Sequence, residues 1–446
     1  MAAQQSIIVD APASKSLSHR VVIAAGLAPG ESKLTNVLES QDLERTIDIM
    51  CLAGAQIERE GRGAYVVSGM PAGPVGGETA PLGVDVGESG TTCRLLTAVL
   101  AAGKGLFEIR GRGRMHSRPI GQLTAALERQ GAGVEFLELP GCPPFRLRAT
   151  GLAGGDAAIG LDESSQYLSG LLLAAPLARA PMTIAIAGEK VVSWPYIELT
   201  LQTLEEFGLD FRVERRVEGD WVAMPWREPS EVAPGAVRFV VQPGQYRAGD
   251  YAVEGDWSNA SYFLAAGALG PGTVGLRRLS KKSRQGDRAV LAILERMGAS
   301  VHWGAGMVTV TPAALRGVDV DMGDSPDIVP TIATLAALAT GTTVIRNVAH
   351  LRIKESDRLE AVATNLRRIG ATVDVLDDGL RIEPVADPGS LRGQSFDLTS
   401  FGDHRIAMSL SLLQRVGVTV NLDDPDCVAK SFPGFWDNWR VLCRDV

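Results

Sequence analysis

A chain of 446 residues exceeds one ordinary hydrophobic core, so two large domains are expected. With 45% hydrophobic and 22% charged residues, its composition is that of a folded globular protein, which excludes a disordered one. The formal net charge of −8 argues against general affinity for nucleic acid or an acidic membrane surface.

The stretch from Met1 to Asp10 has neither the basic nor the apolar region of a secretory leader. The longest apolar runs, around Leu171–Leu177 and Ile332–Ala339, are too short for a membrane span. Five cysteines (Cys51, Cys93, Cys142, Cys427, Cys443) are odd in number and form no CxxC pair, which fits a reducing, cytoplasmic compartment.

Beyond that start the chain repeats. An amphipathic helix closed by Gly recurs as Leu43-Ile47-Met50 before Gly54, Ile120-Leu123-Leu127 before Gly131 and Ile197-Leu201-Leu204 before Gly208. It returns as Val290-Leu294-Met297 before Gly298 and Leu359-Val362-Leu366 before Gly370. Strand-like alternation follows, as in Val134/Phe136 and Val373/Val375. A second, Ala- and Leu-rich helix interleaves with the first and turns into a strand near Gly30, Gly105, Ala180, Gly272, Gly341 and Gly417. Both markers give six units of roughly 75 residues, too long for a solenoid of single supersecondary units. They predict α/β structure in two similar halves of three units. Residues 219–250, with Pro225, Pro229, Pro234 and Pro243, read as the connection between halves.

The second helix type opens on polar clusters: Ser14-Lys15-Ser16-Leu17-Ser18-His19-Arg20, Glu88-Ser89-Gly90-Thr91-Thr92-Cys93-Arg94, and Glu163-Ser164-Ser165-Gln166. The second half gives Asp256-Trp257-Ser258-Asn259, Ser325-Pro326-Asp327 and Gly402-Asp403-His404-Arg405. Ser164, Ser258 and Ser325 read first as helix caps. Capping does not explain the cations. Lys15, Arg20, Arg94 and Arg405 stand where the helix dipole is already positive, which is unfavourable unless an anion sits there. Further cations lie at Arg114 and Arg118, at Lys354 and Arg358, and at Lys430. No Walker loop, GxGxxG after a strand, nucleophile elbow or zinc-ligand spacing is present.

With those residues in view, the chain resembles the 5-enolpyruvylshikimate-3-phosphate synthases of the enolpyruvyl transferase family over nearly its whole length. The matching motifs include SKSLSHR (14–20), SGTTCR (89–94), GRMHSRPIG (113–121), SSQYLS (164–169), EGDWSNASYF (254–263), PDIVPTIA (326–333), KESDRL (354–359), GDHRIAM (402–408) and AKSFPGF (429–435). The resemblance implies two domains of three βαβαββ repeats each, the inside-out α/β barrels of this family. The first would span 14–250; the second would join 1–13 to 251–446. Helix N-termini of both would face a cleft. It also implies transfer of the enolpyruvyl group of phosphoenolpyruvate to the 5-hydroxyl of shikimate-3-phosphate, with release of phosphate, by a monomer using no metal or organic cofactor.

On the matching positions, the resemblance implies Glu355 as proton donor, Asp327 as base and Lys15 beside the departing phosphate. Shikimate-3-phosphate would meet Lys15, Ser16, Arg20, Ser164, Ser165, Gln166, Ser193, Tyr196, Asp327, His350 and Lys354. Phosphoenolpyruvate would meet Lys15, Gly90, Arg114, Gln166, Arg358, Arg405 and Lys430. Gly90 suits close backbone approach to a ligand, and implies inhibition by glyphosate. Glu88 and His350 depart from the family's common Asn at both places, and Ala13 from a common Gly. The sister enolpyruvyl transferase of UDP-N-acetylglucosamine is disfavoured, since no Cys lies in a motif comparable to its reactive one. A non-catalytic anion- or RNA-binding protein is disfavoured by Asp327 and Glu355, since an anion grip needs no carboxylates.

Overall fold

The two helix types of the sequence differ physically in how they are buried. The computed structural model describes residues 6–227 and 232–443; the first five positions, residues 228–231 with Pro229 among them, and the last three positions lie outside them. The chain divides into two compact units, Ser14–Val253 and a discontinuous one formed by Met1–Ala13 with Glu254–Val446.

In the unit Ser14–Val253, the helices are α1 (Lys15–Leu27), α2 (Gln41–Leu52), α3 (Gly90–Ala101), α4 (Gly121–Arg129), α5 (Gln166–Ala174) and α6 (Trp194–Glu206). The discontinuous unit contributes α7 (Trp257–Leu269), α8 (Val290–Arg296), α9 (Val329–Ala337), α10 (Arg358–Arg368), α11 (His404–Leu410) and α12 (Phe435–Leu442). The Ala- and Leu-rich helices α1, α3, α5, α7, α9 and α11 are buried on nearly every side, as expected of a helix apolar all round. In contrast, α2, α4 and α10 bury one stripe, Leu43/Ile49/Met50, Leu123/Leu127 and Leu359/Val362/Leu366. The five glycines read as C-caps all have positive φ, from 75° at Gly208 to 123° at Gly54.

Among the described residues, five of the six sheets begin with a parallel pair and continue antiparallel. In the second sheet of the unit Ser14–Val253, Leu82–Asp85 leads through α3 to its parallel partner Lys104–Arg110, and Phe145–Thr150 and Gly133–Phe136 follow. Gly155–Leu161, α5 and Met182–Val191 repeat the plan, as do Asp319–Asp321, α9 and Thr343–Arg346. These are βαβ crossovers, which parallel pairing requires. The sixth sheet has only the parallel pair Ser395–Leu398 and Thr419–Leu422.

The first repeat of each unit exchanges its leading strand. Ile7–Asp10, which precedes α1, pairs with Val274–Arg277 after α7; Asp250–Ala252, which precedes α7, pairs with Glu31–Thr35 after α1. One sequence expectation needs correcting here. The proline-bearing segment 219–250 is no mere connection: Asp220–Met224 and Val237–Val241 belong to a five-stranded sheet, with Val237–Val241 lying between Met182–Val191 and Phe211–Val217. Its strands are short, and Pro225, Pro234 and Pro243 fall outside them. Among the described residues, no helix is long and apolar enough to cross a membrane.

Candidate active site

The N-termini of the buried helices carry the charged side chains, and each start has its own arrangement. In the unit Ser14–Val253, Ser14 caps α1 and Ser89 caps α3, its hydroxyl accepting from the Thr92 N–H at 3.2 Å. Lys15 opens α1 and is paired with Asp42 of α2. Ser16 is half-buried beside it, its carbonyl accepting from Arg20 at 2.8 Å. The Arg20 guanidinium is 1% exposed and also donates to Thr200 at 2.9 Å, Ser169 at 3.1 Å and the Tyr196 carbonyl at 2.9 Å. Burial lowers its pKa to about 10, so it stays charged at neutral pH. His19 is held well below the usual histidine value by burial and by Lys15 and Arg20, and is neutral.

Ser164, Ser165 and Gln166 stand together at the start of α5. The Ser164 hydroxyl accepts from the Gln166 N–H at 3.2 Å, although the residue at the cap of α5 is Ser165, which makes no side-chain capping bond. The Gln166 amide donates to Thr91 at 2.9 Å and accepts from Arg94 at 3.0 Å, which ties the starts of α3 and α5 together. Ser193, before α6, is 4% exposed and holds left-handed backbone at φ 58° and ψ 40°. That conformation costs a non-glycine residue about 1–2 kcal/mol, strain of the kind that collects at ligand sites.

Gly90 opens α3, and a Cβ there would lie 2.2 Å from the Arg118 guanidinium. Arg118 is 6% exposed and donates to the Glu88 carbonyl at 3.2 Å. Arg114, in the short 3-10 helix Gly113–Ser117, is exposed. Of the two arginines in that motif, it is therefore Arg118 that meets Gly90. The signal was the motif itself; what the sequence does not reveal is which arginine turns inward.

The discontinuous unit gathers a denser cluster. Arg358 opens α10 and is 3% exposed. It donates to Asp327 at 2.9 Å, to Glu355 at 2.6 Å and to Asp403 at 2.8 Å. Burial works against its charge, but the carboxylates of Asp403, Glu355 and Asp327 outweigh burial and raise its pKa above the usual arginine value. Arg405 donates to the other oxygen of Asp327 at 2.6 Å. Asp403, fully buried, caps α11 by accepting from the Arg405 N–H at 3.0 Å and takes the Ser356 hydroxyl at 3.0 Å. His404 Nδ1 lies 3.5 Å from Glu355. Ligand atoms of Glu355, Asp403 and His404 fall within 4.8 Å of one another, but Arg358 is bonded to both carboxylates and supplies the positive charge there. Lys430 donates to the Gly402 carbonyl at 2.9 Å, Lys354 is half-buried, and His350 is 4% exposed in the 3-10 helix Ala349–Ile353.

Two sequence readings change. The anions beside Lys15, Arg358 and Arg405 include the protein's own Asp42, Asp327, Glu355 and Asp403. Ser258 is no cap: Asp256 caps α7, and the Ser258 hydroxyl donates to Asp287. Ser325 likewise makes no side-chain capping bond. Asp42, Asp403 and Asp287 were missed as site-adjacent groups; Asp403 sits in a quoted motif, whereas nothing in the sequence links Asp287 to Asp327.

The family model of EPSP synthase (3-phosphoshikimate 1-carboxyvinyltransferase) matches residues 2–227 and 229–439. The 3-phosphoshikimate 1-carboxyvinyltransferase of Shewanella denitrificans is 40% identical over 441 residues, covering 98% of this chain and 96% of that protein. The enzyme of that name from Sulfurovum sp. is 41% identical over 432 residues, covering 96% and 95%. Among solved structures, EPSP synthase from Acinetobacter baumannii superimposes with a TM-score of 0.76 at 26% identity, covering 98% of this chain and 95% of that one. The enolpyruvyl transferase NikO from Streptomyces tendae shares the fold, with a TM-score of 0.68 at 18% identity and coverage of 98% and 94%. The chain therefore belongs to the EPSP synthase (3-phosphoshikimate 1-carboxyvinyltransferase) family.

Proposed function

We propose that this protein is an enolpyruvyl transferase that joins phosphoenolpyruvate to the 5-hydroxyl of shikimate-3-phosphate and releases phosphate, a step of aromatic amino acid biosynthesis. The observation that carries the reading is buried Arg358 bonded at once to Asp327 and Glu355, in a chain of this family. An anion grip alone needs no such carboxylates; proton transfer does. Glu355 delivers a proton to C3 of phosphoenolpyruvate. Asp327 takes the proton of the 5-hydroxyl as its oxygen bonds to C2, giving a tetrahedral intermediate. The now ionised Glu355 takes a proton back from C3 as phosphate leaves C2, which restores the double bond, with Lys15 balancing charge on the leaving phosphate.

Ser164, Ser165 and Ser193 hold the 3-phosphate, Ser16, Gln166 and Tyr196 line the ring, and Arg20 steers its carboxylate. His350 and Lys354 meet the ring hydroxyls. Phosphoenolpyruvate is bound by Lys15, Gln166, Arg358, Arg405 and Lys430 beside Gly90, with Arg118 in the place first read for Arg114. Planar guanidinium groups suit carboxylate and phosphate. We also propose a monomer working in the cytoplasm without metal or organic cofactor; the five cysteines are all free thiols, in keeping with a reducing compartment.

The test is phosphate release from purified protein given shikimate-3-phosphate and phosphoenolpyruvate. Acceptance of UDP-N-acetylglucosamine instead would move the assignment to the sister transferase. Against that rival, Cys93 at the start of α3 is 2% exposed and its thiol is pushed up to about 11 by burial, so it is a poor nucleophile. Asp327→Ala and Glu355→Ala should each lose most turnover, by about 100-fold or more, while shikimate-3-phosphate binding largely survives. Near-normal rates in either would exclude its proton-transfer role.

A further inference from the structure

One buried acid beside this cluster has no part in the mechanism above. Asp287 lies in the short 3-10 helix Gly286–Ala289, which packs against the start of α7 and the 3-10 helix Pro326–Ile328 that carries Asp327. It is 3% exposed, and Ser258 of α7 donates its hydroxyl to one carboxyl oxygen. The charged groups near it include Asp327, Arg405 and Asp256, the last fixed as cap of α7 by accepting the Asn259 N–H at 2.7 Å.

Arg358 and Arg405 are already engaged by Asp327, Glu355 and Asp403, so an ionised Asp287 would add a further negative charge near Asp327 and Asp256. A buried carboxyl in such surroundings keeps its proton rather than ionise. Burial first, and then the neighbouring Asp327, push Asp287 up to about 7; Arg405 and the Ser258 hydroxyl pull the other way.

We propose that Asp287 is a positioning residue for the enolpyruvyl transfer, acting through Asp327 and Arg405 rather than on substrate. While it carries its proton, it leaves the 2.6 Å Arg405–Asp327 pair undisturbed. Once ionised, it repels Asp327 and competes for Arg405, so the base and the anion-binding guanidinium both shift. The inference rests on the proposed role of Asp327 and adds a group that sets the pH range over which that role is filled.

The sign follows directly: kcat/KM falls as pH rises through the Asp287 titration near neutrality, by up to about tenfold per pH unit above the midpoint. Asp287→Asn, fixed in the neutral form, loses that limb, so the ratio of its rate at high pH to its rate at low pH rises. Ser258→Ala removes a hydrogen bond that favours the ionised form and moves the midpoint upward. A limb unchanged in both variants overturns the inference. Carbon NMR of aspartate-labelled protein gives a second reading, with the Asp287 carboxyl identified by its loss in Asp287→Asn. Titration near neutrality is expected; titration in the ordinary carboxylate range, with turnover intact, sinks this inference alone. A parent protein without phosphate release sinks the proposed function first, and this inference with it.

Discussion

Arg358 stands between three carboxylates with almost no access to water, and that fixes what its loss must do. Replacing one member of a buried ion network leaves the others charged and unmatched, at a cost of about 3–5 kcal/mol. Arg358→Leu should therefore lower thermal stability by about that amount, read by calorimetry or chemical denaturation, besides removing activity. Arg358→Lys should recover little, because an ammonium cannot serve Asp327, Glu355 and Asp403 from one planar fork. Gly90 makes a contrasting case. The nearest atoms a Cβ would meet belong to the far end of the Arg118 side chain, which can move aside, so Gly90→Ala should fold normally. The expected damage is functional: Arg118 is displaced, KM for phosphoenolpyruvate rises about tenfold (about 1.4 kcal/mol), and glyphosate inhibition weakens with it. Steady-state kinetics on the variant checks both, and an unchanged KM would separate Arg118 from donor binding.

At the scale of elements, the sequence revealed more than it usually does, and the reason is periodicity. Apolar stripes ending in glycine marked the amphipathic helices because a half-buried helix must alternate its faces. The Ala- and Leu-rich helices were legible by their polar openings, since a helix buried all round has no stripe to read. What the sequence left hidden was pairing across distance. Ser258 looked like a cap because serine caps helices, yet Asp256 took that place and freed the Ser258 hydroxyl for Asp287. Lys15 looked like a bare anion site because Asp42 lies 27 residues away on the next helix. The segment 219–250 looked like a linker because its strands are short and punctuated by proline. Each of these misses is a tertiary contact overriding a local preference.

For the whole molecule, the exchanged strands matter most. Ile7–Asp10 completes a sheet whose other strands begin at Val274, and Val9 within it is 5% exposed. A charge at that position is buried without a partner. Val9→Asp should cost about 2–4 kcal/mol, and limited proteolysis should show the damage in residues 254–443 rather than 14–227. Equal loosening of both units would argue that their stabilities are not separable.

The same strand exchange imposes an order on folding. The unit Ser14–Val253 has all of its strands once Asp250–Ala252 has been made. Ile7–Asp10 is synthesised before that unit, yet its partner Val274–Arg277 follows more than two hundred residues later. On a ribosome adding roughly 5–20 residues per second, that strand waits on the order of tens of seconds with an unpaired edge. A strand made before the unit Ser14–Val253 is thus secured only after it. A chain truncated just past residue 260 should already protect 14–227 from protease while leaving Ile7–Asp10 open to cleavage.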